Sequence, residues 1–373
     1  MNIYHPIVKE FEKLFLGRKD VINWELAKNL AIRVANEGEI EETPSPNLQK
    51  QFEELVRASE ILTSDFTNLQ FFKFAAVRVF RRQDWIEANI NGFKIIMEPL
   101  TQKVVEQSKK QKASDPISQL LNKISPLILT FEIGLVLGYI AKNVLGQYDI
   151  CLPYGESGKI YFVAPNLLRL EKMLGLPSRD FRFWIALHEV THALEFNSNN
   201  WIVDYYKELF KEYIESATLN LESAAERVSK MNVKSIAEMI NKLQHEDILF
   251  SLATPKQREI LFKIQALMTI LEGYSNFVMD EIGSKMISNF QILKNRFENR
   301  KKDLSTAEKI FRKITGLELK IKQYEMGQKF ANLVFKKLNI DGLNLVYKYK
   351  ENIPTIEEIK NPDKWIKRML KEK

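Results

Sequence analysis

The sequence predicts a mainly α-helical (α+β) protein with a small β-hairpin or sheet directly before its most informative helix. Two observations predict this fold class. Apolar residues recur at spacings of three and four along most of the chain, and β-leaning runs occur in one place, around a glycine-containing turn. The 373 residues are 45% hydrophobic and 28% charged. This composition excludes disordered, collagen-like and disulfide-scaffold proteins.

The helices account for most of the sequence. An almost wholly apolar stretch, 124–141, contains Glu132 and predicts a buried helix rather than a membrane span. Its Gly134 and Gly138 would let another helix approach closely. The predicted helical segments are 5–16, 22–36, 48–61, 66–80, 84–107, 117–145, 180–197, 202–230, 255–282 and 317–338.

The β-leaning runs are 148–153 and 159–164, on either side of the turn-rich sequence YGESG. Their spacing predicts a hairpin. The chain is expected to consist of an N-terminal helical region, 1–75, which is a separate domain, a lid or part of the core, and a larger domain, 76–373, that carries the motifs described below.

The charge pattern argues against nucleic acid and membrane partners. The net charge is +7, but lysines and glutamates are interleaved and the basic runs are short and lack aromatic residues. The first 19 residues carry charges too closely spaced for a signal peptide, so a cytoplasmic location is expected. One cysteine, Cys151, permits no internal disulfide. Any metal must therefore be held by histidines and carboxylates.

Residues 188–192 read His-Glu-Val-Thr-His, the HExxH pattern. On a helix, His188 and His192 project about 40° apart, so both imidazoles can reach one ion. Glu189 lies about 60° beyond His192, where it can act as a general base on water without ligating the metal. The opposite face is apolar and would hold the helix against the core; it consists of Phe183, Leu187, Val190 and Leu194.

A catalytic zinc site needs a third protein ligand. The helix predicted over 255–282 begins with a capping box formed by Thr254 and Gln257 and is expected to end at Gly283. It carries a polar stripe at spacings of four, three, four and four, which either faces solvent or needs partners if buried. The stripe consists of Gln265, Thr269, Glu272, Asn276 and Asp280.

The sharper interpretation of this stripe assigns Glu272 as the third zinc ligand. Asn276 and Asp280 would then hydrogen-bond the histidine rings. Two alternatives for the ligand stay open. Glu195 lies on the HExxH helix but nearly in line with the histidines, and His245 has polar neighbours typical of a surface residue.

Six segments together resemble the zincin-like metallopeptidase type 2 family, which is also described as associated with deazaflavin coenzyme biosynthesis. The resemblance extends over about residues 75–370, in order. It implies a zincin-type, mainly helical hydrolase fold with zinc on the HExxH helix and a glutamate of the LEG segment as third ligand. The segments are LGQYD (145–149), FVAPNL (162–167), HEVTHALEF (188–196), QALMTILEGYSNFVMD (265–280), KQYEMGQKF (322–330) and NIPTIEEIKNPDKWIKR (352–368).

Together these features predict a zinc-dependent hydrolase that acts on a peptide or small amide. Tyr274 is the first candidate to stabilise the oxyanion and Tyr324 the second. The strand at 159–164 could bind an extended peptide along its edge, with Tyr161 and Val163 as contact residues. The alternative is a non-catalytic helical binding or scaffold protein in which zinc is structural or vestigial.

Overall fold

A computed structural model describes residues 21–36, 43–110, 116–149, 158–229, 254–299 and 317–371. In chain order the elements are α1 (Trp24–Asn36), α2 (Pro46–Thr67), β1 (Ala76–Phe80), α3 (Arg82–Lys110), α4 (Pro116–Asn143), β2 (Gly146–Asp149), β3 (Lys159–Val163), α5 (Ala164–Leu174), α6 (Ser178–Ser198), α7 (Trp201–Ser229), α8 (Pro255–Met286), α9 (Phe290–Asn299), α10 (Leu317–Asn344), 3₁₀ turns at Leu345–Tyr347 and Lys350–Asn352, α11 (Ile356–Lys360) and α12 (Pro362–Lys371). The predicted mainly helical α+β fold is therefore confirmed.

The described chain divides into two compact units. The helical unit comprises 21–36, 82–110, 116–143 and 214–229, and the site unit comprises 43–81, 144–213, 254–299 and 317–371. The described residues before position 75 fall in both of these units. The domain boundary expected after residue 75 stays a prediction. No helix in the described ranges is both long and apolar enough to cross a membrane.

Within the helical unit, α1 and α4 pack closely along small residues. A Cβ added at Gly134 would lie 2.9 Å from the carbonyl oxygen of Ala27, and one at Gly138 would lie 2.7 Å from that of Ala31. The prediction that these glycines admit a neighbouring helix is confirmed. In its described part, helix α4 also has exposed apolar residues, since Phe131 is 42% exposed.

In the site unit, the described strands form a three-stranded sheet in the order β1-β3-β2. Strand β2 pairs antiparallel with β3, as the hairpin prediction requires, and Tyr148 lies opposite Ile160. Strand β1 pairs parallel with β3, and Val77 lies opposite Ile160. The sheet precedes α6 in the chain, and α6 packs against α2, α8 and β2.

The helix predicted over 66–80 is wrong. Helix α2 ends at Thr67, where Asn68 adopts a left-handed conformation with φ 59° and closes the helix through its backbone N–H. The chain then enters β1, whose alternating AVRVF sequence suits a strand. Aromatic residues before this strand continue the spacing of three and four between apolar residues, and the predicted helix was too long for this reason. The predicted segment 5–16 and the hairpin turn 150–157 lie outside the described residues.

The expected peptide-binding edge at Tyr161 and Val163 is also wrong. Strand β3 is the central strand, so both of its edges are already paired. Tyr161 is buried and its hydroxyl donates to Asp149 Oδ2 at 2.6 Å, while Val163 is completely buried. Neither residue lies at a free sheet edge.

Helix α8 begins as predicted and ends later than predicted. Thr254 and Gln257 form the capping box, with Pro255 in the first turn. Gly283 does not end the helix, which continues to Met286. A Cβ at Gly283 would lie 2.9 Å from the Phe290 ring, so this glycine permits close side-chain packing rather than a turn.

Candidate metal centre

Helix α6 brings the two histidines of HExxH together. The imidazole rings of His188 and His192 are nearly perpendicular, with centroids 4.7 Å apart. On the predicted apolar face, Leu187, Val190 and Leu194 are completely inaccessible to solvent, and Phe183 is partly buried against the same core. Because this face is fixed in the core, the histidine face is held toward helix α8.

Glu272 approaches both histidines from α8. Its Oε2 atom lies 3.5 Å from His188 Nε2 and 3.7 Å from His192 Nε2. Ligand atoms around one tetrahedral zinc ion are about 3.3 Å apart when the bonds are about 2.0–2.1 Å long. One donor atom from each residue falls within a 4.8 Å cluster. The chemistry and spacing of these three donors fit a zinc ion.

The position of Glu272 depends on a glycine contact between helices α8 and α10. Gly273, the next residue, packs directly on Gly327, and a Cβ on either would overlap the backbone of the other helix. Only glycine permits this approach. The helix crossing therefore fixes the level at which Glu272 meets α6.

The far side of the His192 ring is held by polar groups. His192 Nδ1 lies 2.8 Å from Glu195 Oε2 and 3.0 Å from Ser275 Oγ. Ser275 also donates to Glu195 Oε2 at 3.1 Å, and the Tyr347 hydroxyl donates to Glu195 Oε1. A carboxylate only accepts, so Nδ1 carries the hydrogen in this pair, and Nε2 is left with a lone pair toward Glu272 when the ring is neutral.

The electrostatics of this cluster favour a cation. Burial lowers the pKa of His192, but its hydrogen bonds to the Glu195 and Glu272 carboxylates outweigh this effect and raise the pKa well above its ordinary value. Burial and the nearby Glu195 carboxylate raise the pKa of Tyr347 well above its ordinary value, so its hydroxyl stays protonated and donates. Negative charge from two carboxylates is thus concentrated around His192.

Glu189 is a buried carboxylate next to the histidines. Its Oε2 accepts a hydrogen bond from the backbone N–H of Tyr148 on β2, at 3.0 Å. Burial raises the pKa of Glu189, while His188 and His192 lower it in part. A Cβ at Gly146 would lie 2.6 Å from Glu189 Cγ, so this glycine makes room for the carboxylate. Strand β2 therefore positions Glu189 through one backbone donor and one missing side chain.

The predicted contacts of Asn276 and Asp280 with the histidines are wrong. Asp280 forms an ion pair with Lys294 and accepts from Gln328 Nε2 at 2.6 Å through Oδ2. The carbonyl of Asn276 accepts from the same Gln328 amide at 3.5 Å. The Asp280 side chain therefore binds α9 and α10, the Asn276 backbone contacts α10, and Glu272 is the member of the stripe that faces the histidines.

Tyr274 does not face the metal cluster as an oxyanion donor. It is 1% exposed, and its hydroxyl donates to Asn344 Oδ1 at 2.7 Å. The side chain of Tyr324 and all of His245 lie outside the described part of the chain. Tyr324 as donor and His245 as ligand therefore stay predictions.

Three residues around His192 have roles that sequence reasoning missed. Glu195 was considered as a ligand, but it binds the Nδ1 side of the ring. Ser275 lies three residues after Glu272 on α8, a spacing that places both on one helix face and could have indicated it. Tyr347 is 152 residues from Glu195, and no local pattern in the sequence connects the two.

Two histidines of an HExxH helix and a glutamate from a later helix form a cluster that could hold a metal ion, the arrangement typical of HExxH hydrolases. The sequence matches the zincin-like metallopeptidase family over residues 22–366. The chain therefore belongs to the zincin-like metallopeptidase family.

A solved structure supports the same class. The chain is similar to a protein from Chloroflexus aurantiacus whose crystal structure is described as a candidate hydrolase with a novel fold. The two are 30% identical with a TM-score of 0.68, over 93% of this chain and 98% of the other. A comparison with curated proteins found no match. The family and this neighbour support a hydrolase.

Proposed function

We propose that this protein is a zinc-dependent hydrolase of peptide or other small amide bonds. His188, His192 and Glu272 would hold the ion, and Glu189 would be the general base. The observation that carries the proposal is the cluster of three donor atoms within 4.8 Å, beside a buried glutamate of the same HExxH motif. Bound zinc supplies a Lewis acid that polarises a carbonyl group and lowers the pKa of water.

Glu189 has the surroundings that a general base needs. In the proposed reaction it accepts a proton from the attacking water as the carbon–oxygen bond forms. It then delivers this proton to the leaving nitrogen as the carbon–nitrogen bond breaks. The Tyr148 N–H fixes one oxygen of the carboxylate, which leaves the other oxygen, Oε1, for this proton.

A structural zinc site is the weaker alternative. Structural sites are usually closed by four protein ligands, whereas the cluster found in the described ranges has three. Asp280, another carboxylate of α8, is paired with Lys294. The intact Glu189 also favours a catalytic site.

The first test is the metal content of protein purified without chelator, measured by inductively coupled plasma mass spectrometry. We expect about one zinc per chain in the wild type and a loss of this zinc in His192→Ala. Absence of metal from the wild type, even after zinc is added back, would contradict the proposal.

The second test separates the base from the ligands. Glu189→Gln should abolish hydrolysis in a screen of quenched fluorescent peptides and simple amides, while zinc content stays at the wild-type level. Glu208→Gln makes the same chemical change at a side chain that is 54% exposed, and it should retain activity. Full activity in Glu189→Gln would remove Glu189 as the base.

A further inference from the structure

We propose that Glu195 is a positioning residue for the metal centre: it orients His192 so that Nε2 faces the ion, and Tyr347 and Ser275 hold Glu195 in place. The inference rests on the metal ligands in the proposed function. It adds a regulator of metal affinity that lies outside the HExxH motif and outside the ligand set.

The first step is the geometry of the His192 ring. Its Nδ1 side is occupied by Glu195 Oε2 at 2.8 Å, whereas its Nε2 side faces Glu272 Oε2 at 3.7 Å. An imidazole whose outer N–H is held by a carboxylate has one orientation and a more basic inner nitrogen. Glu195 therefore sets both the angle of the ring and its strength as a ligand.

The second step is that Glu195 is itself immobilised. It is completely buried, and both of its oxygens are used. Oε2 accepts from His192 and Ser275, and Oε1 accepts from Tyr347. A buried carboxylate is costly unless it is fully hydrogen-bonded. His192, Ser275 and Tyr347, from three different elements, all hydrogen-bond Glu195. An apolar side chain could fill this buried position, so the polar cluster indicates a role beyond packing.

The third step is the contrast between two neighbouring tyrosines. Tyr274 and Tyr347 pack edge to face with centroids 5.0 Å apart, and they are 1% and 2% exposed. Each hydroxyl donates to one side chain, but Tyr347 donates to Glu195 and Tyr274 donates to Asn344. Removing either hydroxyl therefore removes buried hydrogen bonding, and only the loss of the Tyr347 hydroxyl removes a support of Glu195.

The experiment compares zinc dissociation constants by chelator competition in the full-length protein. Glu195→Gln should weaken zinc binding by about tenfold or more, in the range seen when the partner of a ligating histidine is lost. Tyr347→Phe acts one contact further out and should weaken it by about threefold or more. Tyr274→Phe, the matched control, should leave zinc affinity at the wild-type value.

Two further readouts separate positioning from simple loss of stability. Urea unfolding of the metal-free variants measures how much stability Tyr347→Phe and Tyr274→Phe each lose, so that a change in zinc affinity can be compared with the change in stability. The visible absorption of the cobalt-substituted protein reports ligand geometry and should change in Tyr347→Phe but not in Tyr274→Phe. If Glu195→Gln does not fold, the two tyrosine variants still decide the question.

The outcomes distinguish this inference from the proposed function. If the wild type binds zinc and both Glu195→Gln and Tyr347→Phe bind it equally well, the positioning role is wrong and the metal centre stands. An equal loss of zinc affinity in Tyr347→Phe and Tyr274→Phe also refutes the positioning role of Glu195. It would mean that the loss of any buried tyrosine hydroxyl in this core weakens zinc binding. A wild type that binds no zinc overturns both.

Discussion

At the scale of single residues, Glu272 is the ligand contributed from outside the HExxH helix. Its Oε2 lies within 3.7 Å of both histidine Nε2 atoms, so its removal leaves two ligands. We expect Glu272→Ala to weaken zinc binding by well over tenfold, measured by chelator competition.

The control for this prediction lies on the same helix. Glu281 is a partly exposed glutamate of α8 that lies 3.9 Å from Lys285, and Glu281→Ala should leave zinc affinity unchanged. Unchanged affinity in Glu272→Ala would instead return the question of the third ligand to His245.

A second prediction at this scale concerns Gly146. A Cβ there would lie 2.6 Å from Glu189 Cγ and 2.7 Å from Glu189 Oε1, so Gly146→Ala must displace the carboxylate. Because misplacement of a catalytic group by about 1 Å can cost about a hundredfold, we expect a loss of hydrolysis of that order. The three atoms nearest this Cβ all belong to Glu189 and none to a proposed metal ligand, so zinc content should be unchanged. Gly92→Ala, at a glycine with nothing within 4 Å, is the control and should keep full activity.

Much of this site could be predicted from sequence, because HExxH depends on the geometry of one helix. His188 and His192 needed only the helical repeat, and Glu272 needed only a polar stripe on a second helix. Which residue each side chain of the stripe contacts depends on how the helices pack, and the sequence of one helix does not show this. Asp280 was predicted to contact the histidines, but it contacts Lys294 of α9 and Gln328 of α10 instead.

At the scale of elements, the crossing of α8 and α10 is the contact that places Glu272. Gly273→Ala would put a methyl group into the backbone of Gly327, which cannot move without separating the helices. We expect the unfolding free energy to fall by about 2 kcal/mol or more. Zinc affinity should fall with it, because Glu272 is the adjacent residue.

Stability and zinc affinity can be measured separately for this variant. Urea unfolding of the metal-free protein gives the first, and chelator competition in the folded protein gives the second. Gly92→Ala again provides the control. Its unfolding free energy should rise by up to about 1 kcal/mol, because alanine favours the helix more than an unpacked glycine does. Wild-type stability in Gly273→Ala would show that the two helices separate easily.

The sheet illustrates why other elements were harder to predict. Strands β2 and β3 are close in sequence, and their turn signals identified them. Strand β1 pairs with β3 in parallel across about 80 residues, and such pairing leaves no local signal. This pairing is also what makes β3 central, so one missed strand overturned the predicted peptide-binding edge.

At the scale of the whole molecule, the end of the described chain packs onto the same core as the metal helices. Trp365 is fully buried, and its indole N–H donates to the carbonyl of Asn352 at 2.7 Å. The 3₁₀ turn just before this segment carries Tyr347, which supports Glu195. The C-terminal segment and the tyrosine that supports Glu195 therefore belong to one buried core.

An ion pair that closes this segment gives a prediction with a definite pH dependence. Arg368 Nε donates to Glu358 Oε1 at 2.7 Å, and Thr355 and Glu358 form a capping box. Burial raises the pKa of Glu358, but the hydrogen bonds from Arg368 and Thr355 outweigh it, so the pKa lies below its ordinary value. A folded-state pKa below the unfolded one stabilises the protein above the unfolded pKa, about 4.3, and this stabilisation is lost as pH falls through the folded pKa.

We therefore expect Glu358→Gln to lower the unfolding free energy by about 1 kcal/mol at pH 7, a value reduced for partial solvent screening. The difference from wild type should narrow below about pH 5 and vanish once pH falls below the folded-state pKa, because the wild-type carboxyl is then also neutral. Urea unfolding at pH 7, 5 and 4 measures this trend. Glu357→Gln, next to it on an exposed side chain paired with Lys364, should have a smaller effect at every pH. A difference for Glu358→Gln that stays constant across this range would mean that its charge does not hold the segment, and that packing of Trp365 alone closes it.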